Sequence, residues 1–144
     1  MPGAKLSIDL SVPPSALYTI ITDQQRYPEF LPEIKRARVL ERSDTHAVVE
    51  YEIDLIKKVN YTLRFALEKD RRVQWSLVSS NMLKTNNGGW ELEPLPNGGC
   101  RATYHLDVSI GGFVPGALVE KLTGKTLPAT LESFRRRAES LHRA

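Results

Sequence analysis

Apolar and polar residues alternate from Lys5 to Ser11, with Leu6, Ile8 and Leu10 on one side and Ser7 and Asp9 on the other. A period of two is that of a half-buried strand. Pro13 and Pro14 stop it, and Pro14 suits the first turn of a helix, where its missing N–H costs nothing. Ala16, Leu17, Ile20 and Ile21 follow at helical spacing and end near Asp23. A second short helical piece, Tyr27 to Leu31, is closed by Pro32.

Beyond Pro32 the period returns to two. Val49, Tyr51, Ile53 and Leu55 share one face of a run whose other face carries Glu50, Glu52 and Asp54. Val59, Tyr61, Leu63, Phe65 and Leu67 form the next apolar face, and Val73, Trp75 and Leu77 the one after it. Trp90 and Leu92 continue the pattern. Cys100, Ala102, Tyr104, Leu106, Val108 and Ile110 then alternate with Arg101, Thr103, His105, Asp107 and Ser109. Turn-rich breaks separate the runs at Ser43-Asp44-Thr45, Lys69-Asp70-Arg71, Asn86-Asn87-Gly88-Gly89 and Pro96-Asn97-Gly98-Gly99. Such short links predict antiparallel hairpins.

The last segment reverts to helical spacing. Leu118 and Leu122 lead into Leu127, Leu131, Phe134, Ala138 and Leu141, with a kink or break predicted near Gly124 and Pro128. One strand, two short helices, six more strands and a long helix form an α+β order. A single antiparallel sheet must cover its apolar face, and the C-terminal helix is the one long apolar stripe available. A curved seven-stranded sheet gripping that helix follows, with residues 1–144 as one domain.

Composition changes this picture little. The 144 residues are 41% hydrophobic and 26% charged, as in ordinary globular chains, which excludes a disordered chain or a disulfide scaffold. Cys100 is the single cysteine, so no internal disulfide forms. No stretch approaches the length of a membrane span, and Ser7 and Asp9 interrupt any apolar leader. A cytoplasmic location, at most peripheral to a membrane, is the expectation. The formal net charge of +3 is too small to call for nucleic acid, and no DNA partner is expected.

The segment Asp23-Gln24-Gln25-Arg26-Tyr27-Pro28-Glu29-Phe30-Leu31-Pro32 resembles one in the polyketide cyclase/dehydrase family of the START-like, helix-grip superfamily. Gly89-Trp90-Glu91-Leu92-Glu93-Pro94, with Gly99-Cys100 and His105-Leu106-Asp107, is similar to the penultimate hairpin of that family. Leu131 to Ala138 resembles its closing helix. Coenzyme-Q-binding START proteins and ribosome-association toxins belong to this group. The resemblance implies binding or transport of a lipid-, quinone- or polyketide-like molecule between sheet and helix. It leaves two alternatives: a cyclase or dehydratase, and a module that associates with ribosomes or an anionic membrane surface.

With the apolar set facing the helix, Tyr51, Tyr61, Phe65, Trp75, Trp90 and Tyr104, joined by Leu118 and Leu122, are the candidate lining of such a cavity. The Tyr hydroxyls and Trp N–H groups would supply a few orienting hydrogen bonds. Solid core packing is the competing account, because rings around a void forfeit dispersion contacts. Cys100 is the one classical nucleophile on the inward face, and it has no His or Asp at a motif spacing, so it reads as a small buried hydrophobe. His46, His105 and His142 fall on a turn, on an outward strand position and on the last helical turn. No metal-ligand spacing is present, and neither metal nor cofactor is expected. Basic clusters at Lys35-Arg36, Arg38 and Arg42, at Lys57-Lys58, at Arg71-Arg72 and at Arg135-Arg136-Arg137 are the remaining candidates for an anionic partner.

Overall fold

The computed structural model describes residues 3–31, 34–54, 58–110 and 127–143. Strand β1 (Gly3–Leu10) precedes helix α1 (Pro14–Ile21) and a 3-10 helix (Gln24–Glu29). Six strands follow: β2 (Ile34–Arg42), β3 (His46–Asp54), β4 (Lys58–Glu68), β5 (Arg72–Ser80), β6 (Leu83–Pro94) and β7 (Cys100–Ile110). Helix α2 is described over Leu127–Arg143. The strands form one seven-stranded antiparallel sheet of order β1-β7-β6-β5-β4-β3-β2. The meander from β2 to β7 thus places β1 beside β7, the last of the described strands.

Local chemistry accounts for these boundaries. Pro13 is extended and Pro14 opens α1, which buries Leu17, Ile20 and Ile21. The 3-10 helix buries Gln24 and Tyr27, and Tyr27 Oη donates to the carbonyl of Ile21 at 2.5 Å. Arg42 Nη1 on edge strand β2 reaches the carbonyl of Thr22 (2.5 Å) and Oε1 of Gln24 (3.1 Å). That side chain fastens the helical insert to the sheet.

Helix α2 presents Leu131, Phe134 and Ala138 to the sheet, all buried. Leu141, expected on the same stripe, stays 50% exposed. Pro128 lies in the first described turn of α2, while Gly124, Leu118 and Leu122 lie outside the described residues. Glu139 Oε2 accepts from the backbone N–H (3.0 Å) and hydroxyl (2.9 Å) of Ser11, so the helix is tied to the end of β1.

One predicted turn is a strand. Asn86-Asn87-Gly88-Gly89 lies inside β6, paired with Val108, Asp107, Leu106 and His105 of β7. Turn propensity loses there to packing: a Cβ on Gly88 would sit 2.6 Å from Cζ2 of Trp75 and 2.6 Å from the carbonyl oxygen of His105. Glycine keeps that strand position open for the indole. The chain instead turns at Asn81-Met82. There Ser80 Oγ accepts from the N–H groups of Met82 and Leu83 and donates to the carbonyl of Asn60.

The other predicted turns lie where expected, between β2 and β3, β4 and β5, and β6 and β7. The last includes Gly98 at φ +86°, a conformation that favours glycine. No helix among the described residues is long and apolar enough to cross a membrane.

Candidate functional site

The six aromatic residues predicted to line the inward face form three directly opposed cross-strand pairs. Tyr51 of β3 faces Tyr61 of β4, Phe65 of β4 faces Trp75 of β5, and Trp90 of β6 faces Tyr104 of β7. Their ring centroids lie 5.4, 5.8 and 4.9 Å apart respectively. Opposed aromatic pairs of this kind stabilise a sheet beyond simple burial.

Other rings join the pairs into a horseshoe. Starting from Tyr61, the contacts run through Tyr51, Tyr27, Phe134, Trp90, Tyr104 and Trp75 to Phe65, with no step longer than 5.8 Å. Both ends lie on β4. Tyr27 comes from the 3-10 helix, where it stacks on Tyr51 at 18°, and Phe134 comes from α2. Phe30 packs on Phe134 at 5.1 Å and carries the guanidinium of Arg137 over its own ring at 5.3 Å. Arg137 is also paired with Glu29. Tyr27, Phe30 and Phe134 were visible in sequence as helical positions, but period two within strands carries no sign of rings that arrive from other elements.

The rings differ in burial. Tyr51, Phe65 and Trp90 are sealed, whereas Tyr61, Trp75 and Tyr104 pack against the core yet remain partly accessible. Trp75 Nε1 donates to Oδ1 of buried Asn86 at 3.0 Å. The indole N–H expected to orient a ligand is therefore committed within the protein, and Trp75 offers its ring instead. Asn86 escaped sequence reading because its neighbours carry a turn signature.

Four phenols sense one another across this face. Burial, and then Tyr104 and Tyr61, hold Tyr27 well above the ordinary phenol range. Burial does the same for Tyr51, with contributions from Tyr27, Tyr61 and Tyr104. Tyr104 is raised by burial and by Tyr61. Each of these three keeps its proton at neutral pH and can donate a hydrogen bond. Tyr51 Oη is buried and has no partner, and neither does Nε2 of buried Gln24.

The remaining candidates occupy structural positions. Cys100 is buried at the start of β7, and burial pushes its thiol up, away from nucleophile chemistry. His46 opens β3 with Nδ1 2.8 Å from Ser43 Oγ, and His105 lies on the outward face against Gly89. Among the described residues no cluster of His, Cys, Asp and Glu could hold a metal ion. The basic triplet on α2 is engaged by carboxylates: Arg135 with Glu132 and Glu139, Arg136 with Glu132, and Arg137 with Glu29. Arg38 pairs with Glu50, and Arg72 with Glu68 and Glu91. The outward face also bears a polar cleft lined by Glu68, Arg71, Arg72, Glu91, Glu93 and Arg101.

Residues 10–135 match the family described as polyketide cyclase / dehydrase and lipid transport. The chain is similar to the ribosome association toxin RatA of Vibrio cholerae, with 27% identity over 88% of each chain. It is also similar to the persistence and stress-resistance toxin PasT of Escherichia coli O6:H1, with 35% identity over 67% of this chain and 62% of that protein's length. A STAR-related lipid transfer protein from Xanthomonas axonopodis superposes with a TM-score of 0.82 at 18% identity, over 95% of this chain and 85% of the other. That likeness concerns the fold, and it matches the helix-grip architecture.

Proposed function

This chain belongs to the polyketide cyclase/dehydrase and lipid transport family, and on that premise we propose that it binds an apolar small molecule between the sheet and α2. The observation that carries this reading is the incomplete burial of Tyr61, Trp75 and Tyr104 on a face whose other rings are sealed. Half-covered aromatic rings beside a core suit a flat or elongated hydrocarbon, which gains dispersion and hydrophobic contact without disturbing the packed rings beneath. Leu118 and Leu122 remain proposed lining residues. Membership of a family named for cyclisation also raises turnover. A proton-transfer group works best with a pKa near the working pH, and burial holds the Tyr27 and Tyr51 phenols well above it. Binding fits these groups better than acid–base catalysis.

The test is extraction of freshly purified protein with organic solvent, followed by mass spectrometry. An apolar molecule in stoichiometric amount supports the reading. If nothing is extracted and stripped protein takes up no apolar probe, the reading falls.

A second reading, association with ribosomes, is favoured by the relatives named for that property. Its electrostatic support would come from exposed Arg36 and Lys58, since carboxylates already pair the α2 triplet. Binding through phosphates weakens steeply with salt, by a log–log slope of about −0.7 to −0.9 per phosphate contact. Co-sedimentation with ribosomes across a salt series tests it, and no retention at low salt removes it.

A further inference from the structure

A buried phenol ordinarily finds a hydrogen-bond partner. Tyr51 is 2% exposed and its hydroxyl has none. Its ring cannot swing to seek one, because it is stacked on Tyr27 and opposed by Tyr61. The Tyr27 hydroxyl is itself spent on the carbonyl of Ile21. Gln24 stands three residues before Tyr27, and in a 3-10 helix such residues lie on one face. The Gln24 amide carries a second unpartnered donor, Nε2, while its oxygen is held by Arg42. The unused Tyr51 donor therefore lies at the sealed end of the face, and the accessible rings Trp75 and Tyr104 lie on the strands beyond.

The charge of the seat follows from its surroundings. Among the described residues, the groups that act on the Tyr51 hydroxyl are burial and three other phenols, with no cation among them. The inward strand positions around it are Val49, Ile53, Val59 and Leu63. A carboxylate placed there would lose its hydration without a compensating positive charge. An uncharged acceptor would lose far less and would gain the waiting O–H.

We infer that the site takes its ligand polar end first, seating an uncharged hydrogen-bond acceptor such as a ketone or ester carbonyl against Tyr51 Oη. The apolar remainder then lies along Tyr61, Trp75 and Tyr104. This direction rests on the apolar-site reading above and adds a ligand class to it: neutral carbonyl-bearing hydrocarbons over fatty acids and other anions.

The experiment is calorimetric titration of solvent-stripped protein with three probes of similar size: a naphthyl methyl ketone, isopropylnaphthalene and naphthoate. The ketone binds the wild-type protein about tenfold more tightly than the hydrocarbon, as expected for one buried hydrogen bond, and naphthoate binds most weakly. Tyr51→Phe erases the ketone's advantage over the hydrocarbon, and circular dichroism checks separately that the variant is folded. Equal binding of ketone and hydrocarbon by the wild type, a preference that survives Tyr51→Phe, or naphthoate as the tightest probe overturns the polar-end-first seat while leaving an apolar site standing. Failure of both neutral probes to bind overturns the apolar-site reading itself.

Discussion

The indole of Trp75 fills the space above Gly88 where a side chain would begin, with Cζ2 only 2.6 Å from the position of a Cβ on that glycine. The same ring is anchored by its N–H to Asn86, two residues before Gly88, and packs between Phe65 and Tyr104. Gly88→Ala must therefore push the ring or the strand aside. A loss of about 1–3 kcal/mol is expected, as for other overpacked interiors, with a changed tryptophan emission maximum. Chemical denaturation followed by fluorescence measures both. Unchanged stability would mean that Trp75 moves freely from its seat.

Phe134 is the ring through which α2 grips the sheet, touching Tyr27, Phe30 and Trp90 at centroid distances of 5.0 to 5.4 Å. Phe134→Ala leaves a cavity among rings that cannot easily collapse into it. The expected cost is about 3–5 kcal/mol, read from the denaturation midpoint. A loss below about 1 kcal/mol would contradict the central place given to this contact.

Removing the Tyr51 hydroxyl affects stability separately from binding. An unpartnered buried polar group costs roughly 1–3 kcal/mol, so Tyr51→Phe raises the stability of ligand-free protein, by about 1 kcal/mol. Calorimetric melting of solvent-stripped protein checks the sign. A lower melting temperature would show that the hydroxyl is satisfied in solution.

Alkaline pH tests the buried phenols together. Unfolded tyrosines ionise near pH ~10, while Tyr27, Tyr51 and Tyr104 are held above that value in the fold. Above pH ~10 the unfolded state is the one that sheds protons, so stability is complete below that pH and falls as pH rises beyond it. Phenolate absorbance from these three should appear with unfolding, as followed by circular dichroism in parallel. Ionisation of Tyr27 or Tyr51 in protein that is still folded would contradict the burial described.

Much of this was legible in the residues themselves. Strict alternation in β3, β4 and β7 identified the inward face, and the cross-strand register pairs Tyr51 with Tyr61 and Trp90 with Tyr104 on it. What stayed hidden depends on contacts distant in sequence. Gly88 reads locally as a turn residue and becomes a strand residue because Trp75 arrives over it. Tyr27 and Phe134 join the site through the docking of helices, which strand periodicity does not report. Arg135, Arg136 and Arg137 read as a basic cluster, although i, i+3 and i, i+4 carboxylates on the same helix neutralise the first two.

The central claim, that an apolar ligand lies on the inward face, is tested most directly by NMR on aromatic-labelled, solvent-stripped protein titrated with the naphthyl ketone. The account predicts shift changes and ligand contacts at the rings of Tyr61, Trp75 and Tyr104, with none at the outward cleft of Glu68, Arg72 and Glu91. Ligand contacts confined to that cleft, or silence at all three rings at saturating ligand, would contradict it.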